Sequence, residues 1–228
     1  MPYPRHRWAV AAALGQAESY LWPEPSGMDS YGARFRQLWS SSKDEAEALR
    51  KVQGSLGSTL PGQLVNMDHR ATIDIQPDGS ATIRQTYRSA DVSHAPLMVV
   101  SRDLWFEYPQ PTIRFRAHCD RSVPLQVELV RDFSNYKQLL CNFVKPLQPL
   151  EVVTFSYSYD ARAMFLRDHF WDQRVVAPTK RLHVSITHHK GKWLTGCVVS
   201  EESQSGLMQD PDPDLVIHQS SEEVCSFD

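Results

Sequence analysis

The sequence predicts a mainly β protein: an antiparallel β-sandwich, Ig-like or related, preceded by two or three short helices. Three observations predict it. From about residue 66 the hydrophobic period changes to two, the period of a half-buried strand. Turns at Pro109, Pro111, Pro124, Pro146, Pro149 and Pro178 help separate about nine such runs, spaced roughly ten to fifteen residues apart. Before residue 66 the signals belong to helices: a proline entry, a glycine exit and a capping box.

The first helix is expected over residues 4–14. Pro4 suits the first helical turn, where its missing N–H costs nothing. Val10 and Leu14 share a stripe flanked by Trp8 and Ala11, and Gly15 suits the left-handed exit. "AESYLW" reads as a second short helix ended by Pro23 and Pro25. Helices this short do not hold themselves together and need a partner for Tyr20, Leu21 and Trp22. Residues 23–42 are rich in Pro, Ser and Gly, with "YGARFRQLW" as one helical turn. Ser42 to Glu45 fits a capping box with Ser42 as N-cap and Glu45 at N3. "DEAEALRKV" then reads as an exposed helix supported by Glu47 and Lys51 at i,i+4 spacing. "GSLGSTLPGQ" reads as a linker.

"ATIDIQPDGSATIRQTYRS" predicts a hairpin. Ile73 and Ile75 line one arm, Ile83, Gln85 and Tyr87 the other, and Pro77-Asp78-Gly79 supplies the turn. In "TIRFRAHC" Ile113, Phe115 and Ala117 alternate with Arg114, Arg116 and His118. In "VTFSYSY" Val153, Phe155, Tyr157 and Tyr159 share one face. "PLMVVSRDLWFEY", "PLQVELVRD", "YKQLLCNFV", "RLHVSITHH" and "KWLTGCVVS" complete the strands. Residues 161–173 interrupt them as a loop or one helical turn, with Phe165, Phe170 and Trp171 folding back on the core. The expected organisation is a helical remnant over 1–25 and a linker with one helix over 26–65. A sandwich over 66–200 and an acidic, disordered tail over 201–228 follow. Within that tail only "DLVIH" suggests a short edge strand. No internal repeat is present.

Charge is unevenly distributed. The chain has 228 residues, 24 basic and 27 acidic; eight of the acids lie in 201–228, which leaves 19 acids against 24 bases, a body of +5. That is compatible with a nearby polyanion and too small to argue for one. No run approaches the length of a membrane span, and "WAVAAAL" lacks the flanks of a signal peptide, so a cytoplasmic protein without a membrane partner is expected. Cys119, Cys141, Cys197 and Cys225 contain no C-x-x-C pair and read as buried reduced thiols.

Chemistry-bearing motifs are few. His188 and His189 are adjacent on a strand, so their rings point to opposite faces and do not chelate one ion; no metal or cofactor is expected. Asp132, Ser134 and Asn135 read as ordinary turn residues. "LRDHFWDQR" gathers charge around aromatics. Its pocket reading has Trp171 as floor and Arg167, His169 and Asp172 as orienting groups; its plain reading is a loop anchored by Phe170 and Trp171. A hydrolase would need His169, Asp172 and a nucleophile to converge.

The opening stretch carries the most specific pattern. Pro2-Tyr3-Pro4-Arg5-His6-Arg7 leads into Ala11-Ala12-Ala13-Leu14-Gly15, and Tyr20-Leu21-Trp22-Pro23 closes it. This resembles the last two helices of the DNA-binding bundle in Xre-type helix-turn-helix transcriptional regulators, with the flanking motifs at that family's spacing. The resemblance covers about 23 residues. It implies a recognition helix lying before this stretch, so DNA readout is expected to be incomplete in this chain. It leaves Arg5, His6 and Arg7 as candidates for phosphate contact, which positions a protein without specifying sequence. The β region resembles the sandwich domains fused behind such modules. The expected function is that of a regulator fragment whose sandwich senses a ligand or partner, with DNA reached through an upstream or partner helix-turn-helix. A standalone interaction module, using a protein partner or self-association, is the alternative.

Overall fold

The structure, a computed structural model, describes residues 28–58, 64–106, 109–110, 113–122, 124–162, 164–166 and 177–189, with the backbone of four short strands between 201 and 227. The expected helices over 4–14 and 17–22 and the strand expected over 192–200 lie outside these residues.

Two helices open the described chain, α1 (Met28–Ser40) and α2 (Glu45–Leu56). The region expected to be a linker with one helix therefore holds two. The reason is tertiary: Phe35, Leu38 and Trp39 lie at i, i+3 and i+4, and Phe35 is only 1% exposed against Leu49, Val52 and Leu56. The capping box also sits elsewhere. The Ser42 hydroxyl donates to Leu38 O at 2.7 Å and so closes α1. Asp44 is the N-cap of α2, its carboxylate accepting from Glu47 N at 2.8 Å, while Glu47 Oε2 accepts from Lys43 N at 3.1 Å. Glu47 and Lys51 pair at 2.8 Å, as their spacing predicts. The helix is not an exposed one: Ala48, Leu49, Val52 and Leu56 are buried. It also runs through Gly54 into the segment read as linker and ends at Gly57. A Cβ there would lie 2.2 Å from Val92 O, so only glycine fits.

The strands are β1 (Leu64–Ile75), β2 (Ala81–Asp91), β3 (Leu97–Trp105), β4 (Phe115–Cys119), β5 (Leu125–Phe133), β6 (Tyr136–Leu147), β7 (Val152–Ala161) and β8 (Leu182–His188). β9 (Glu201–Glu202), β10 (Met208–Gln209), β11 (Ile217–Ser221) and β12 (Val224–Phe227) follow. The larger sheet has the order β11-β12-β8-β1-β2-β7-β4, the smaller β3-β6-β5, and β9 pairs with β10. The β1–β2 hairpin sets Ile73 opposite Ile83. Its turn is closed by Gln76 N donating to Ser80 O at 2.8 Å, with Gly79 at φ 74. Pairing is antiparallel except between β1 and β8, which run parallel because a long connection carries the chain back across the sheet.

The two sheets face each other across one core. Ile73, Ile83, Val153 and Phe155 of the larger sheet meet Val100, Leu139, Cys141 and Phe143 of the smaller. The alternation of β7 is as predicted, with Val153, Phe155, Tyr157 and Tyr159 all buried. β4 follows its pattern only in part: Ile113, just before it, is buried, Phe115 is half-buried and Ala117 is exposed, because this short strand forms the sheet's edge. A second core lies on the opposite face of the larger sheet, where Val65, Met67, Ala90 and Val92 receive the helices. The start of β1 is therefore buried on both faces, and a strand of that kind shows no alternation.

For 201–228 the expectation was a disordered tail with a short edge strand at "DLVIH". β11, which begins at Ile217 of that stretch, is the larger sheet's end strand, but it is reached through β12, which pairs antiparallel with β8 and with β11. Pairing satisfies the backbone groups of the β8 edge, which polarity of sequence does not forecast. In the 161–173 interruption a 3₁₀ turn, Met164–Leu166, buries Met164 and Phe165, and Phe165 N donates to Gly79 O at 2.9 Å. Phe170 and Trp171 lie outside the described residues. Among the described residues no helix is long and apolar enough to cross a membrane.

Candidate functional site

All the site residues expected from sequence, Arg5, His6, Arg7, Arg167, His169, Trp171 and Asp172, lie outside the described residues. The hydrolase constellation of His169 and Asp172 falls there too. The site that the described residues do assemble is a polar cluster inside the sandwich, which the sequence reading missed.

The cluster follows from strand alternation. His69 of β1, Gln85 and Tyr87 of β2, and Phe155 and Tyr157 of β7 all point to the smaller sheet. Register sets His69, Tyr87 and Phe155 side by side across three strands. Their rings stack in a row, with centroids 4.3 Å apart for His69 and Tyr87 and 5.2 Å for Tyr87 and Phe155. One position along, the hydroxyls of Tyr87 and Tyr157 approach to 3.5 Å. His69 Nε2 donates to Gln85 Oε1 at 2.7 Å in the tautomer that this bond requires. From the opposite sheet, β3 projects Arg102 over the row, its guanidinium carbon 4.8 Å from the Tyr87 centroid and 6.0 Å from that of Phe155. Among the described residues, His69 Nδ1 and Arg102 Nε are buried without a hydrogen-bond partner.

Burial sets the electrostatics. It pushes the His69 imidazole down to about 4, against the opposing Gln85 bond, and the Arg102 cation adds to the fall. Burial raises the Tyr87 and Tyr157 phenols and pushes the Cys141 thiol up to about 11. At neutral pH the imidazole is therefore neutral, the phenols and the thiol keep their protons, and Arg102 carries the charge. None of the shifted groups is poised to exchange a proton near pH 7, so the arrangement suits packing rather than acid–base catalysis.

The cluster adjoins the helical layer. Arg88, next to Tyr87 on β2, points to the other face and grips the Glu45 carboxylate with both terminal nitrogens, one bond being 2.8 Å. That hydrogen bond is the main cause of the lowered Glu45 pKa and the raised Arg88 pKa. Asn66 Oδ1 accepts from Ser89 Oγ at 2.7 Å, and Asn66 Nδ2 donates to Thr179 Oγ1 at 3.1 Å, which ties the approach to β8 onto β1 and β2. Lys180 Nζ lies 5.0 Å from the Trp39 ring centre and links that approach to α1.

One further group was read differently from sequence, and one as the structure has it. Asp132 is more than a turn residue: it pairs with the buried Lys137, whose ammonium also donates to Phe133 O at 2.9 Å and Gln110 O at 3.2 Å. His188 is buried and His189 is exposed, with His189 Nε2 2.8 Å from Asp74 Oδ1, so the pair is divided between two environments as strand geometry requires.

No family model matches the chain, and no curated protein matches it. Among solved structures it is similar to an M1 zinc metallopeptidase from Deinococcus radiodurans, at 11% identity over 72% of this chain and 38% of that one, with a TM-score of 0.37. It is similar to the same degree to a protease candidate from Parabacteroides distasonis ATCC 8503, at 10% identity over 72% of this chain and 40% of that one, also at 0.37. The chain spans about two fifths of the length of these proteins. At such scores the likeness carries no functional argument.

Proposed function

We propose that the chain is the effector half of an Xre-type transcriptional regulator acting in the cytoplasm. The β-sandwich senses a ligand, a protein partner or a second copy of itself. The helical layer passes the change to a helix-turn-helix, supplied upstream or by a partner, that reads DNA. Within this chain Arg5, His6 and Arg7 would touch phosphate only.

The observation that carries the reading is the motif from Pro2 to Pro23. The geometry supports it in one respect: β2 joins the polar interior to the helices, since Tyr87 belongs to one face and Arg88, bound to Glu45, to the other. A perturbation that moves the Tyr87 row shifts the strand on which α2 is anchored.

The test extends the chain in frame through its own upstream codons and selects binding sites from random duplexes. The expected result is one enriched sequence, bound with an affinity that Arg102→Gln alters. Absence of enrichment, both for the extended chain and for the chain with its co-purified partners, overturns the reading.

A standalone interaction module is favoured by a different observation. Met98, Phe133 and Val144 of the smaller sheet are exposed, at 62%, 63% and 52%, and β3 and β5 are that sheet's end strands. Retention of a protein partner together with indifference to DNA at low salt would favour that second reading.

A further inference from the structure

The outer face of the larger sheet has a composition unlike an ordinary solvated face. Register sets Ser185, Thr72, Arg84, Ser158 and Arg116 side by side across β8, β1, β2, β7 and β4. The next row, two residues along each strand, is His183, Arg70, Thr86, Ser156 and His118. With strands about 4.8 Å apart, each row spans about 19 Å.

Neither row contains a carboxylate, a lysine, or a Phe, Tyr or Trp. Solvated faces ordinarily intersperse both signs of charge. Here the carboxylates stand at the margins, and three of them are already engaged by neighbouring side chains. Asp160 pairs with Arg116 at 3.0 Å, Asp74 with His189 at 2.8 Å, and Asp68 with Arg70 at 3.2 Å. Arg84, exposed at the centre of the face, has no partner among the described residues. Among the described residues, the helices α1 and α2 cover the end of this face nearest Met67 and Ala90.

Arginine forks and hydroxyls are the side chains that hydrogen-bond phosphate oxygens. Without Phe, Tyr or Trp the face offers bases only imidazoles and guanidinium planes to stack on, which disfavours single strands. We propose that this face binds the sugar–phosphate backbone of duplex DNA without regard to sequence. The proposal concerns the sandwich itself and does not depend on a helix-turn-helix, so its failure and the failure of the regulator reading are separate results.

The test is fluorescence anisotropy of the full chain with labelled duplexes of two unrelated sequences, titrated between about 50 and about 200 mM salt. Both duplexes are expected to bind alike, more weakly as salt rises. Arg84→Gln is expected to flatten the dependence of log affinity on log salt by about 0.9, so that the affinity ratio across this range shrinks about 3.5-fold. Arg84→Lys is expected to keep most of the slope, and Arg131→Gln, on the smaller sheet, to keep all of it. Thermal melting of each variant checks that the fold is intact, and Arg70→Gln serves as a second variant on the same face. No binding at the lowest salt, or a slope that Arg84→Gln and Arg70→Gln leave unchanged, overturns the proposal. So does binding to phosphatidylserine vesicles without binding to DNA.

Discussion

Arg88 and Glu45 join a central strand of the larger sheet to the first turn of α2 through a two-pronged ion pair, while Tyr87, one residue earlier, stacks on His69 inside the sandwich. One short piece of β2 thus serves both the helical layer and the polar interior. Both partners of the pair are 39% exposed, so solvent screens much of its attraction.

A double-mutant cycle with Arg88→Ala and Glu45→Ala, followed by urea unfolding, is therefore expected to return a coupling of about 1 kcal/mol or less. The sign with pH is fixed by the carboxylate. Its folded pKa is lowered, so the contribution is present above the ordinary carboxylate range and is lost as pH falls through the depressed folded value. A coupling that grows on acidification would contradict this assignment.

His69 gives a larger pH dependence in another window. Its pKa falls from 6.5 unfolded to about 4 folded, because burial disfavours the cation. The unfolded chain takes up the proton first, so stability is constant above about pH 6.5 and declines as pH falls toward 4. Unfolding free energies at pH 7 and pH 4.5 are expected to differ by about 2.4 kcal/mol more in the parent chain than in His69→Phe. Equal slopes in the two proteins would place the imidazole in water.

Local chemistry was legible in the sequence and non-local chemistry was not. The hairpin that pairs Ile73 with Ile83 is written in consecutive residues, with its turn glycine between them. So is the alternation from Val153 to Tyr159. The cap of α2 was misplaced because two N-cap patterns overlap, Ser42 with Glu45 and Asp44 with Glu47. What decides between them is distant: Arg88 engages Glu45, and the Ser42 hydroxyl is spent on Leu38 O. The interior cluster depends on Arg102 arriving from the opposite sheet, which no spacing encodes. A signal was available in Gln85, a polar residue at an inward position between Ile83 and Tyr87.

Two glycines of the α2 region are expected to respond oppositely to alanine. At Gly57 the added Cβ would lie 2.2 Å from Val92 O and 2.5 Å from Gln53 O, both backbone atoms that do not yield. Gly57→Ala is expected to cost about 2 kcal/mol or more through displaced backbone. At Gly54 nothing lies within 4 Å, and the residue is inside a helix. Gly54→Ala is expected to add about 0.5–1 kcal/mol by restricting the unfolded chain. Melting temperatures of the two variants should therefore move in opposite directions.

Lys137 tests what a buried charge does for this sandwich. Its side chain is 2% exposed, and its ammonium is held by Asp132 with the carbonyls of Phe133 and Gln110. Asp132→Ala leaves that ammonium with two carbonyl partners and no counter-ion, and is expected to cost about 3 kcal/mol. Lys137→Met keeps the length and apolar bulk of the stem and removes the charge with its desolvation cost. It leaves only carbonyls and a half-exposed carboxylate that water reaches, and is expected to cost less than Asp132→Ala. Urea unfolding of the two variants decides the order. If Lys137→Met proves the more damaging, the ammonium is needed to fix the β5–β6 turn against Phe106 and Gln110, whose backbone N–H groups donate to the Asn135 and Ser134 carbonyls.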